Sequence, residues 1–153
     1  MANVEVTVEQ LPRMSGTDLG ASRWLRISQA RIDTFADATD DHQWIHVDPA
    51  QAAAGPFGAT IAHGYLTLSL VPRLLDDLLV VMDQTRGTNY GIDRARFPSP
   101  VPVDSEVQLT GRLLEATVRT DGGVQYKVAV VVQVRGSDRP SLVAEIVYLA
   151  YGS

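Results

Sequence analysis

The stretch Asp40-Asp41-His42-Gln43-Trp44-Ile45-His46-Val47-Asp48 gathers three carboxylates and two imidazoles among apolar residues. Apolar neighbours desolvate a carboxylate and raise its pKa, whereas a nearby imidazole favours its charged form. An acid and a base tuned toward neutrality can add or remove water across an activated double bond. On residue type and spacing alone, a catalytic and a structural role for Asp41 and His46 stand equally open. Asp40 and Asp48 read as cap or turn residues and His42 as a solvated loop side chain. A metal reading is available too, since His42 and His46 are four apart, His63 follows, and Asp41 and Asp48 offer oxygens. It is not favoured, because Gln43-Trp44-Ile45 replaces the glutamate-led helix of a zincin pattern, and no metal is expected. No Gly-x-Ser-x-Gly occurs, so a serine hydrolase elbow is not expected either.

The chain that positions these residues has 153 residues, of which 45% are apolar and 20% charged. That suits one domain with a sizeable core, so residues 1–153 read as a single unit. Thirteen basic against eighteen acidic residues give a formal net charge of −5 and a pI near 5.0. Without a basic tract, nucleic-acid binding is not expected. The absence of cysteine removes disulfides, thiolate-bound zinc and thiol catalysis. The N-terminus shows neither the basic nor the apolar part of a signal peptide. The apolar run Tyr65–Leu75 is too short to span a bilayer and carries Arg73. A soluble cytoplasmic protein with no membrane partner is expected.

Val4–Val8 alternates like a short edge strand, and Gln10–Gly20, with Pro12, Gly16 and Gly20, reads as a loop. Trp24–Ile27 is a short strand or a lead-in. Ser28 is a good N-cap for a helix over Gln29–Ala38, whose apolar face is Ala30, Ile32, Phe35, Ala36 and Ala38. The chemistry-bearing residues then fall in a polar loop, Thr39–Pro49. Pro49–Ala54 is a short helix stopped by Gly55 and Pro56. From Gly64, the positions Leu68, Val71, Leu75, Leu78 and Met82 recur at helical spacing, with further leucines between. The pattern predicts a long buried helix, bent where Pro72 removes a hydrogen bond. Strands are predicted over Asn89–Phe97, Glu106–Arg119, Val124–Arg135 and Ser141–Tyr151. The turn signals Asp121-Gly122-Gly123 and Gly136–Pro140 separate the last three. The economical arrangement is α+β, an antiparallel sheet wrapped around the long central helix.

Phe35 to Pro49, followed by Ile61-Ala62-His63-Gly64, resembles the MaoC-like, (R)-specific enoyl-CoA hydratase family of hot-dog proteins. The family pattern is an aspartate, four residues, a histidine, a variable residue and Asp-Pro, with His-Gly opening the central helix downstream. Asp41, His46, Asp48, Pro49, His63 and Gly64 match it. Gly91 to Val101 is similar to the family's first long strand after that helix, and the likeness runs over roughly residues 25–151. It implies a hot-dog fold and reversible addition of water to a trans-2-enoyl-CoA, giving an (R)-3-hydroxyacyl-CoA. Asp41 and His46 would be the catalytic pair, with base and acid unassigned because a coupled pair titrates as a unit. The backbone N–H of Gly64 would meet the thioester oxygen. One departure is that the family's Asn-Pro is here Gln43-Trp44, which puts the shape of the acyl pocket in question. Gln43, Trp44, His63 and Arg96 are the candidate substrate contacts. The plainer reading of His63 is a hydrogen bonder at a helix start, and that of Arg96 a solvated strand residue. No cofactor is implied beyond the coenzyme A thioester itself.

Two rivals share these features. A hot-dog acyl-CoA thioesterase would need an acid or water-activating group on the central helix, and Gly64–Leu75 holds no acid. A silent acyl-CoA-binding or partner subunit would not need both Asp41 and His46. The resemblance also implies a homodimer with sheets joined edge to edge and the active site near the interface. The low charge of Asn89–Phe97 and Val124–Val134 leaves such edges poorly protected against pairing.

Overall fold

The Ser28 hydroxyl accepts the Arg31 N–H at 3.2 Å and starts helix α1, Gln29–Thr39. This is seen in a computed structural model that describes all 153 residues. Asp40 ends α1 with φ at 57°, a left-handed conformation that aspartate tolerates better than most residues. That reversal throws Asp41 off the helix axis. The segment expected to be irregular contains a single helical turn, α2, Trp44–Val47. Asp48 then caps α3, Pro49–Ala53, by accepting the Gln51 N–H at 3.0 Å. Asp40 and Asp48 are thus cap residues, as their types suggest. His42 is exposed and pairs with Asp37 at 2.8 Å.

Before α1 come β1 (Val4–Val6), a 3-10 helix over Val8–Met14, β2 (Asp18–Ala21) and β3 (Leu25–Arg26). The expected Gln10–Gly20 loop is therefore partly helical and partly strand. The long strands are β5 (Gln84–Arg96), β6 (Glu106–Val118), β7 (Val124–Val134) and β8 (Leu142–Gly152). They lie antiparallel in the order β2-β6-β7-β8-β5, with β3 also on β6. Alternation does what a half-buried sheet requires. In β7, Val124, Tyr126, Val128, Val130 and Val132 face the core, matched on β8 by Leu142, Ala144, Ile146, Tyr148 and Ala150. β7 lies between β6 and β8, so its valine-rich run is interior and not an unprotected edge. β5 is the outer strand, nearly exposed along its length.

The central helix is shorter than the apolar periodicity predicts. It divides into α4 (Gly64–Ser69) and α5 (Val71–Leu75), and the chain from Leu79 to Val81 forms β4, parallel to β1. Two causes act. Pro72 has no N–H to offer the Leu68 carbonyl, so the break falls in front of it, where proline suits a first helical turn. Beyond Asp77, Leu78-Leu79-Val80-Val81 is a short apolar run that fits strand as readily as helix. Leu66, Leu70, Val71, Leu74, Leu75 and Leu78 pack with the sheet's inner residues in one core cluster. At Gly111 of β6 an added Cβ would sit 3.0 Å from the Leu78 side chain, so the missing side chain lets the helical layer settle on the sheet. The α+β arrangement of sheet around helix is present, with the helix in two pieces.

Candidate active site

His46 on α2 is buried, at 6% exposure. Its Nδ1 lies 2.7 Å from the Ile61 carbonyl oxygen. A carbonyl only accepts, so Nδ1 carries the proton and Nε2 presents a bare lone pair. Burial pushes the imidazole pKa below its ordinary 6.5, outweighing the upward effect of the Ile61 bond. His46 is therefore a neutral base at physiological pH. Its main chain is held as well: Gln29 of α1 donates to the His46 carbonyl at 2.7 Å and accepts from the Thr60 hydroxyl at 2.6 Å.

Asp41 follows the left-handed turn. Its carboxylate accepts the Gln43 N–H at 3.4 Å, and its side chain is 53% exposed. His63 joins Asp41 to His46. Its Nε2 donates to the Asp41 carbonyl at 2.9 Å, and its ring stacks on His46 with centroids 3.8 Å apart. Phe35 covers it at 4.9 Å. His63 is the N-cap residue of α4, and its side chain makes no capping bond but hydrogen-bonds the Asp41 carbonyl instead.

The ligating atoms of Asp41, His46 and His63 all lie within 4.8 Å of one another. Two hydrogen bonds of ~2.8 Å meeting near the tetrahedral angle span about 4.6 Å, so one water fits between the carboxylate and an imidazole nitrogen. A metal ion fits less well. Imidazole binds zinc at ~2.1 Å through a ring nitrogen, and two rings stacked face to face do not converge their lone pairs on one ion as well as rings set edge-on. His46 Nδ1 and His63 Nε2 are also committed to carbonyls.

His46 and Gly64 line one cleft of about 290 Å³ with Thr67, Phe97, Ser141 and Phe57. Gly64 opens α4, and its N–H has no protein acceptor. A Cβ on it would meet the Phe97 ring at 3.1 Å, so glycine admits that ring beside the free N–H. The other candidates lie elsewhere. Trp44 packs on Gly55, where an added Cβ would come within 2.9 Å of its ring, and it does not line the cleft. Gln43 is an exposed N-cap outside it. Arg96 is exposed and folds back onto the Ala95 carbonyl at 2.7 Å. The residues absent from the sequence reading are Gln29, Thr67, Ser141 and the Ile61 carbonyl. Gln29 carried only the signal of an N-terminal helix residue, and a main-chain acceptor leaves none.

A family model described as the MaoC like domain matches residues 11–135. The 3-hydroxyacyl-thioester dehydratase Z of Mycobacterium tuberculosis is 48% identical over 139 residues, covering 91% of this chain and 92% of that protein. Among solved structures, the (R)-hydratase from A. caviae involved in PHA biosynthesis superposes with a TM-score of 0.70 at 25% identity. It covers 88% of this chain and 94% of that one. The ChsH1-ChsH2 complex from Mycobacterium tuberculosis has a chain of the same fold, with a TM-score of 0.67 at 22% identity and coverage of 90% and 98%. This chain belongs to the MaoC-like dehydratase family and is a hydro-lyase on the hot-dog fold.

Proposed function

We propose that the protein catalyses reversible addition of water to a trans-2-enoyl-CoA, giving an (R)-3-hydroxyacyl-CoA. The observation that carries this reading is the gathering of Asp41, His46 and His63 within 4.8 Å of one another, with His46 held neutral and sharing a cleft with the free Gly64 N–H. In the hydration direction, a water bound between Asp41 and His46 attacks C3. One water proton passes to His46 Nε2, while the other stays on the new hydroxyl, which Asp41 accepts. Charge moves through the conjugated system to the thioester oxygen, where the Gly64 N–H receives it. The proton on His46 then returns to C2 from the same face, so atoms and charge balance over the cycle. The (R) outcome is supported by the likeness to the A. caviae enzyme, and a thioester substrate by the name of the M. tuberculosis relative.

The test is a direct absorbance assay with crotonyl-CoA, followed by chiral analysis of the product. Loss of the enoyl absorbance without thiol release, giving the (R) alcohol, is expected. Thiol release would point to a thioesterase, and no change in either signal to a binding subunit.

The functional unit in this reading is a homodimer. β5 pairs only with β8 and exposes Tyr90 and Ile92, while Tyr65 and Phe97 stand exposed beside the cleft. A second copy joined through β5 covers these side chains and closes the cleft in a symmetric contact. Sedimentation at micromolar concentration should give twice the 16.6 kDa chain mass. A fully active species of single-chain mass refutes the shared site, and activity only with a different chain would indicate a hetero-oligomer.

A further inference from the structure

We propose that His63 is a positioning residue, which sets the separation and orientation of Asp41 and His46 without itself exchanging a proton with substrate. The inference rests on the hydro-lyase reading above and assigns a task to a residue that reading leaves unused.

His63 is 3% exposed and touches both members of the pair. Its Nε2–H donates to the Asp41 main-chain oxygen at 2.9 Å, while the Asp41 carboxylate stands farther off, at 4.0 Å. The tie therefore holds the backbone and leaves the carboxylate free to bind water. The His63 ring lies against His46 at 3.8 Å with 22° between planes, and Phe35 closes one side at 4.9 Å. Neither neighbouring ring leaves His63 room to swing. Its own main chain starts α4, since the His63 carbonyl accepts the N–H groups of Leu66 and Thr67. Gly64 is the next residue. One rigid imidazole thus links the Asp41 turn, the His46 ring and the helix that presents the Gly64 N–H.

The second nitrogen shows that more than a structural tie is at work. His63 Nδ1 is buried and has no hydrogen-bond partner. A simple tether to the Asp41 carbonyl could be made by an amide side chain, with no need for an aromatic ring. Unpaired buried polar atoms are uncommon and call for a reason. The reason here is the flat face that imidazole lays on His46, combined with an edge N–H for Asp41. Phenylalanine supplies the face without the N–H. Glutamine supplies an N–H without the face.

Those two substitutions separate the contributions. With crotonyl-CoA, His63→Phe should lower kcat by about tenfold or more while KM moves by less than about threefold, because geometry is lost and not substrate affinity. His63→Gln should recover part of that kcat by restoring the tie to Asp41, with a thermal melt that shows both variants folded. Wild-type kcat in the phenylalanine variant, a loss carried mainly by KM, or a glutamine variant no better than phenylalanine would overturn the proposal. A second readout is independent of turnover. The chain has three histidines, so a His42→Ala background leaves only His46 and His63 in a long-range 15N–1H spectrum. Opposite tautomers are expected, protonated at Nδ1 in His46 and at Nε2 in His63. A His63 proton on Nδ1, or a ring exchanging between tautomers, overturns the proposal even if the protein hydrates no thioester. Absence of turnover in the wild type with the expected tautomers would instead sink the hydratase reading alone.

Discussion

Replacing Gly64 tests the assignment of its main chain to the thioester oxygen. A Cβ at this position would stand 3.1 Å from two atoms of the Phe97 ring and 3.3 Å from a third. Ordinary carbon contacts begin near ~3.5 Å, so alanine falls short by about 0.4 Å. Phe97 is 39% exposed and can tilt outward, which holds the stability cost of alanine to about 1 kcal/mol. The displaced ring lines the cleft, however, and moves next to the N–H that the proposed reading assigns to the thioester oxygen. A misplacement of 1 Å costs on the order of a hundredfold in rate, so roughly half of that should cost Gly64→Ala up to about tenfold in kcat/KM. Gly64→Val adds two branches that ring tilting cannot clear, and about a hundredfold loss or more is expected, against ~1–3 kcal/mol of stability. Crotonyl-CoA kinetics beside a thermal melt of each variant decide the matter. A folded valine variant with wild-type kcat/KM would refute the role of Gly64, and an alanine loss matched wholly by unfolding would refute the steric reasoning.

Asp41→Asn and His46→Gln should each lower kcat by about a hundredfold or more, with the double variant little worse than either, because both act on one water. Steady-state kinetics check this, and near-normal turnover in either single variant would dismiss the pair. If the neutral ring is the base, as proposed, the burial-lowered pKa of His46 predicts that the acid limb of kcat/KM falls below pH 6.5. The same shift has a sign for stability: protonating a buried His46 is harder in the folded than in the unfolded chain. That contribution is therefore present above pH 6.5 and is lost as pH falls through the folded value, which a series of melts on wild type and His46→Gln would show. Dialysis against a strong chelator should leave activity unchanged. A loss restored by zinc would make the Asp41, His46 and His63 cluster a metal site after all.

The parts of the fold that were legible are those where local chemistry and periodicity agree. Ser28 begins α1 because a hydroxyl in that position satisfies a free N–H, and Asp48-Pro49 begins α3 for the same kind of reason. Strands β6 to β8 follow apolar alternation between glycine turns, valine-rich in β7. The run after Asp77 was not legible, because its pairing with β1 depends on a partner more than seventy residues away in the chain. Within the site, side chains in a motif could be found, whereas their surroundings could not. Nothing local says that Trp44 turns toward Gly55 and away from the cleft, or that Gln29 reaches both Thr60 and the His46 carbonyl. Low charge along Val124–Val134 is compatible with an edge in the sequence alone, whereas β6 and β8 flank it on both sides in the fold.

The acceptor that holds the proton on His46 Nδ1 is the main-chain oxygen of Ile61, and this divides the labour of position 61 in a way that bears on how the enzyme can change. The Ile61 N–H donates to Ile45 at 3.0 Å, and the flanking Thr60 and Ala62 are tied to Val103 and Val101 at 2.9 and 2.8 Å. The strap is anchored through peptide groups that almost any residue possesses. Ile61 is itself among the residues that line the cleft. Selection can therefore resize the cleft by exchanging its side chain while the tautomer of the base stays as it is. Proline at position 61, which lacks the N–H, is the exchange that would break this independence. In the proposed reading, cleft shape and proton chemistry meet at one residue and can still evolve apart.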